Sequence, residues 1–197
     1  MAQVFAKLDP SNKNSQIVLS NGDLTYTSNN SPGNWTQVAA NQTKTTGKWY
    51  YEITCTTGTT HAFFIANSSW DFTLGNTVSG STANSWAKLW DASKQTNNVN
   101  VAYGASIVAG DVIGVAMDVD GGSITMYRNG TSEGVMYNTG LPATVYFGFQ
   151  IQTSSQVATV NFGATTFAYS VPSGFNAGLY TGSPSPANIP DARVFFM

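Results

Sequence analysis

Along Val112–Val119 the apolar side chains Ile113, Val115, Met117 and Val119 share one parity. Side chains alternate across a strand, so these four face one side of a sheet. Asp120-Gly121-Gly122 supplies a tight turn, Ile124–Tyr127 a return strand, and Asn129-Gly130 a type I′ hairpin turn. The same period of two recurs in Trp49, Tyr51, Ile53 and Cys55, and again in Val145, Phe147, Phe149 and Ile151. His61–Ala66 reads as the partner of the first of these strands, and Val157–Phe162 as the hairpin partner of the second. Ile17–Tyr26 holds two short strands about a Ser-Asn-Gly-Asp turn. Residues 67–100 differ: they are long, polar and rich in Gly, Ser and Asn, with Trp70, Trp86 and Trp90 interspersed. A featureless loop of that length is uncommon in a compact domain, so short strands are expected at Ser85–Trp90 and Val99–Tyr103. No stretch has the period of an amphipathic helix. About a dozen short strands predict an all-β fold, a two-sheet antiparallel sandwich.

Composition narrows what such a sandwich can do. The 197 residues suffice for one full core, and 42% of them are hydrophobic. Charged residues are only 9%, against roughly 25% in ordinary soluble domains. The polar surface therefore comes from Thr, Ser, Asn and Gln, which suits lightly charged extracellular or virion surfaces. A net charge of −2 gives no footprint for nucleic acid and no basic patch for anionic lipid. No apolar run reaches the roughly 18 residues of a membrane span, so no membrane insertion is expected, and no secretory signal is visible at the start.

Candidate chemistry is sparse. One histidine, His61, and one cysteine, Cys55, do not make a zinc site of the usual kind, and both read as structural. Asp118 and Asp120 lie two apart, but a paired-carboxylate hydrolase needs its second carboxylate across a cleft. They read as turn formers, and the later acidic ligand of a calcium loop is missing. No catalytic residue, metal or cofactor is expected.

The segments LSNGDLTYT (19–27), GKWYYEI (47–53), HAFFIA (61–66), GDVIGVAMDVDGGSITMYRNG (110–130), PATVYFGFQ (142–150), VATVNFG (157–163) and FAYSVPSGF (167–175) occur in the order of one known family. The chain resembles the SPRY (B30.2-like) domain and, in style, the SPRY-containing virion proteins of bacteriophages. The resemblance implies a concanavalin-like jelly roll with a binding role and no catalysis. It implies a ligand surface of loops at one end of the sandwich: here Asn67, Ser68, Ser69 and Trp70 after HAFFIA, and Gln152, Thr153 and Ser154 between the last long strands. These amide and hydroxyl groups suit a glycan or an extended peptide, and equally suit solvated turns.

Three parts are expected: an N-terminal arm over 1–16, the sandwich over 17–177 and a C-terminal tail over 178–197. Val4 and Phe5 at one end, and Val194, Phe195 and Phe196 at the other, are apolar tags on a polar chain. They are candidates for attachment to an assembly, or for packing on their own domain. The leading expectation is a phage virion surface protein, decorating the capsid or forming part of a tail or fibre. Its partners would be other virion proteins, further copies of itself, and a host surface glycan or protein. The alternatives are a cytoplasmic adaptor that binds a peptide in a host cell and a glycan-binding adsorption module.

Overall fold

The structure is a computed structural model that describes residues 2–29 and 33–182. It contains no helix among the described residues and seventeen strands. In chain order these are β1 (Val4–Phe5), β2 (Leu8–Lys13), β3 (Ile17–Ser20), β4 (Thr25–Ser28), β5 (Thr36–Ala40), β6 (Lys48–Thr57), β7 (His61–Ala66), β8 (Ser85–Lys88) and β9 (Asp91–Thr96). Then come β10 (Val99–Ser106), β11 (Val112–Asp118), β12 (Ser123–Arg128), β13 (Thr131–Tyr137), β14 (Tyr146–Ile151), β15 (Val157–Asn161), β16 (Asn176–Ala177) and β17 (Tyr180–Thr181). One sheet has the order β10-β9-β8-β7-β14-β5-β2, the other β13-β12-β11-β6-β15-β4-β3, with β16 added in parallel beside β6.

The strands follow the predicted alternation. Ile113, Val115 and Met117 of β11 pack against the core from one sheet, as do Tyr51, Ile53 and Cys55 of β6. From the other sheet come Phe63 and Ile65 of β7 and Phe147, Phe149 and Ile151 of β14, all fully buried. At the centre the Tyr51 ring meets Phe147 edge-on at 5.6 Å and tilts against Phe162 at 5.6 Å. Such aromatic contacts add to the area they bury. The β12–β13 hairpin turns on Asn129 (φ 51°) and Gly130 (φ 77°), both left-handed as a type I′ turn requires. The two aspartates serve the β11–β12 corner. Asp118 pairs with Lys48 at 2.8 Å and accepts from Gly121 N at 2.7 Å, while Asp120 accepts from Gly47 N at 2.9 Å. Burial pushes the Asp118 carboxyl up, but Lys48 and the Gly121 N–H outweigh it and hold the group below its ordinary range.

Five expectations are corrected. His61–Ala66 pairs with β14 and β8 and not with β6, and Val157–Asn161 pairs with β6 and β4 and not with β14, so each expected hairpin partner lies in the opposite sheet. The arm expected over 1–16 is not outside the sandwich: Leu8–Lys13 forms edge strand β2 beside β5, with Leu8 fully buried. The tail expected from 178 starts too early, because Leu179 is buried in the core and β17 pairs with β1. The polar stretch 67–100 hides three strands rather than two, since β9 lies between β8 and β10.

The outer face of the seven-stranded sheet carries a second core. Trp35, Ala39, Ala62, Phe64, Ala66, Trp70, Phe72, Ala87 and Leu89 form it, and residues 67–84 lie over the sheet to close it. Phe64 stacks on Phe72 at 5.6 Å and 19°. Gly148 on β14 leaves room for this ring, since an added Cβ there would fall 2.2 Å from Phe64 Cζ. Two fully buried glutamines fasten the covering segment. Gln37 donates to the Asp71 and Leu74 carbonyls, each at 3.0 Å, and accepts from Trp70 Nε1 at 3.1 Å. Gln150, its cross-strand neighbour, accepts from Ser79 N at 3.0 Å and donates to Thr77 O. The polar atoms of a buried amide are costly unless bonded, and here they fix the path of a loop.

Candidate functional site

The first candidate loop starts where β7 ends. Asn67 N donates to Asn84 O at 3.0 Å and the two side chains bond at 3.0 Å, which closes the base of the segment. The Asn67 side chain then accepts from Ser69 N at 2.9 Å, a turn that returns the chain toward the sheet. Trp70 therefore points inward. It is 9% exposed, with its ring edge-on to Phe64 at 5.5 Å. Trp70, expected as a loop-borne ligand anchor, has its N–H taken by Gln37 and its ring set into the second core, with one side left lining the cleft beside it. A second local turn follows, with Asp71 accepting from Thr73 Oγ1 at 2.6 Å and Thr73 N at 2.8 Å. The Thr73 hydroxyl and then its N–H hold the Asp71 carboxyl below its usual range. That turn pushes Leu74 outward, 49% exposed.

Between Trp70 and Leu74 a cleft of about 120 Å³ remains, rimmed by Ser69, Asp71, Thr77, Thr82 and Asn84. Ser68 stands exposed beside it. The cleft has the size of a small apolar side chain, and its rim offers hydroxyls, an amide and one carboxylate. Leu74, Thr77, Thr82 and Asn84 were not legible as site residues. Their sequence neighbourhood is merely polar, and the fold of 67–84 alone assembles them.

The second candidate loop does not join the first. Register pairs Tyr146 with Ala66 and Ile151 with His61. Residues 67–70 thus leave one end of β7, while Gln152, Thr153 and Ser154 lie beside the other. Five steps of about 3.3 Å along the strand put the two ends roughly 17 Å apart. The expected single surface from both loops is therefore corrected to two. Gln152 is itself engaged, donating from its backbone to Thr60 O at 3.2 Å and from its side chain to Gly33 O at 3.3 Å.

On the opposite sheet a strap, 164–175, crosses the outer face. Glu52 of β6 is buried, accepting from Ala168 N at 2.7 Å and from Tyr169 N and the Tyr50 hydroxyl at 3.0 Å each. Burial, with the Glu52 charge beside it, pushes the Tyr50 hydroxyl up. Between the strap and Ala177 runs an open groove of about 590 Å³ lined by Thr165, Thr166, Phe167, Tyr169 and Val171.

Of the attachment candidates, Phe5 packs on its own chain, edge-on to Tyr180 at 5.7 Å, and Val4 is 61% exposed beside Thr181. Val194, Phe195 and Phe196 lie outside the described residues. Cys55 is fully buried and burial pushes its thiol up, which leaves it a poor nucleophile. Among the described residues no group of three His, Cys, Asp or Glu side chains is placed to hold a metal ion.

Comparison with known proteins agrees with this architecture. The E3 ubiquitin-protein ligase RKP of Arabidopsis thaliana is 33% identical over 129 residues. Those residues are 64% of this chain but 10% of that protein, so the chain spans a small part of the relative's length. The SPRY domain of human HERC1 superposes with a TM-score of 0.65 at 15% identity, covering 81% of this chain and 99% of that one. The TRIM65 PSpry domain does so with a TM-score of 0.65 at 16% identity, covering 80% and 92%. These likenesses show the fold. Residues 48–165, more than half of the chain, match the SPRY domain family, and the chain belongs to it.

Proposed function

We propose that this chain is a non-enzymatic recognition module that binds protein through the cleft beside Trp70 and Leu74. The observation that carries the reading is the family match over 48–165, since SPRY domains are typically protein-binding modules. The cleft supplies what recognition needs: one exposed apolar residue, a fixed wall and a ring of hydrogen-bonding groups. Leu74 is exposed, so replacing it disturbs binding without disturbing the core. Leu74→Asp is expected to weaken capture of the partner about tenfold or more while the melting temperature stays within about a degree of wild type. Unchanged capture, measured by titration calorimetry with the purified partner, would move the site to Gln152–Ser154.

Within this class the chain is proposed to act on a virion surface, with Val4 and the apolar residues Val194, Phe195 and Phe196 attaching it to capsid or tail proteins. Support comes from composition: 9% charged residues and a surface of hydroxyls and amides. Purified particles are expected to contain the chain in stoichiometric amounts by quantitative mass spectrometry. Its absence from particles would leave the second reading, a cytoplasmic adaptor for a host protein. The 33% identity to a segment of a ubiquitin ligase supports that alternative.

A further inference from the structure

The chain's one histidine has no part in the cleft, yet it sits at a joint. His61 opens β7, is fully buried, and stacks on Phe63 with ring centres 6.3 Å apart. Its Nε2 lies 2.9 Å from the Thr57 carbonyl. A carbonyl only accepts, so in the neutral ring Nε2 carries the proton and Nδ1 is a bare acceptor. That Nδ1 has no hydrogen-bond partner among the described residues, and neither has the buried Oε1 of Gln156. Around the ring two turns are laced together. Gln152 N donates to Thr60 O at 3.2 Å, Thr57 Oγ1 donates to Ser155 O at 3.0 Å, and Gln156 Nε2 bonds Thr60 Oγ1. Gly58 (φ 82°) lies so close to Gln156 that an added Cβ would fall 2.3 Å from its Cγ.

A second proton on this ring would bring a positive charge into a corner where, among the described residues, its one hydrogen-bond partner is the Thr57 carbonyl and no carboxylate acts on it. Turns 57–60 and 152–156 contain no ionisable side chain. The packed strands bring Cys55 on β6 and Tyr26 on β4, both buried and neutral, Lys88 on β8 across from Phe63, and Tyr146 at the far end of β14. Asp111, whose charge reaches Cys55, is held by Val108 N, Asn129 Nδ2 and Arg128. A charged imidazole here must reach water, and the laced turns are what stand over it.

We propose that His61 is a proton-operated latch: its neutral form keeps turns 57–60 and 152–156 together, and its protonation parts them while the sandwich stays folded. Burial, opposed by the Thr57 carbonyl, lowers the proton affinity of the closed form. The opened form takes its proton near the ordinary value of about 6.5. The closed form is therefore fully favoured above that pH, and its advantage is lost as pH falls through the lowered value. The latch concerns the contacts between these two turns and does not rest on the cleft reading.

Hydrogen exchange of the full chain, corrected for intrinsic rates, tests it between about pH 7.5 and about pH 5. The Gln152 amide is expected to lose protection about tenfold for each unit by which the closed-state value is lowered, while Val115 and Met117 amides keep theirs. His61→Gln keeps a donor for Thr57 and cannot titrate, so the response should vanish. Constant protection in wild type, an equal loss in His61→Gln, or a uniform loss across the sandwich would each overturn the latch. If His61→Gln does not fold, the His61 ring titration in wild type, followed by NMR, must share its midpoint with the Gln152 amide. Separate midpoints reject the proposal.

Discussion

Glu52→Ala is expected to lower stability by about 3 kcal/mol and to release the strap over residues 164–175 from the outer face of its sheet. The residue stands on β6 between Tyr51 and Ile53, whose side chains fill the core, so Glu52 points to the other face. It is 3% exposed, and its two oxygens take three hydrogen bonds, from Ala168 N, Tyr169 N and Tyr50 Oη. Hydrogen bonds to a charged group contribute about 1.5–3 kcal/mol each. The net loss is smaller than their sum for two reasons. Ala168 and Tyr169 are exposed, so their N–H groups can turn to water, and the variant no longer buries a carboxylate. Lifting the strap also separates Phe167 from the Tyr50 ring, now 5.2 Å apart and edge-on. Glu52→Gln keeps one carbonyl acceptor and the side-chain volume, and should cost about half as much. Denaturant unfolding is the measurement: the midpoint should fall, and a strap already released in the native state should lower the slope slightly. A midpoint for Glu52→Ala equal to wild type would mean that the strap is held by its aromatic contacts alone.

The meander and both long core strands were legible because each is decided locally. Alternation over Val112–Val119 and Val145–Ile151 fixes a face, and Asn129-Gly130 fixes a turn. Strand β9, Asp91–Thr96, was illegible because its sequence, DASKQT, has no apolar alternation. It is a strand because it lies between β8 and β10, and Lys94 binds it across to the Met136 carbonyl and over the Tyr137 ring, 4.8 Å away. Strand β2 was hidden by Pro10, which an edge strand tolerates and a central one does not. For the site, composition identified polar loops but could not say which of them meet. That follows from the register of β7 on β14, which sets Asn67 and Gln152 at opposite ends. Gln37 and Gln150 carried no local signal at all, because their partners lie 33 to 73 residues away.

Trp70→Ala is expected to cost about 3–5 kcal/mol, the range for deleting a large buried aromatic ring. Two losses combine. The ring leaves a cavity beside Phe64, and Gln37 Oε1 loses the indole N–H that satisfies it in a fully buried position. The rest of the covering segment stays fastened by Gln37 Nε2 and by Gln150, so exchange protection should fall first between Asn67 and Leu74. Trp70→Phe restores most of the volume without the N–H and should cost about 1–2 kcal/mol, which separates the cavity from the stranded oxygen. Because the wall of the cleft is the same ring, Trp70→Ala should weaken partner capture as well, and in step with the loss of local protection. Leu74→Asp, by contrast, should weaken capture with the melting temperature unmoved. A Trp70 variant that keeps wild-type stability but loses its partner would show the ring to be a contact surface and not a plug. The indole would then have to turn out of the second core, breaking its hydrogen bond to Gln37.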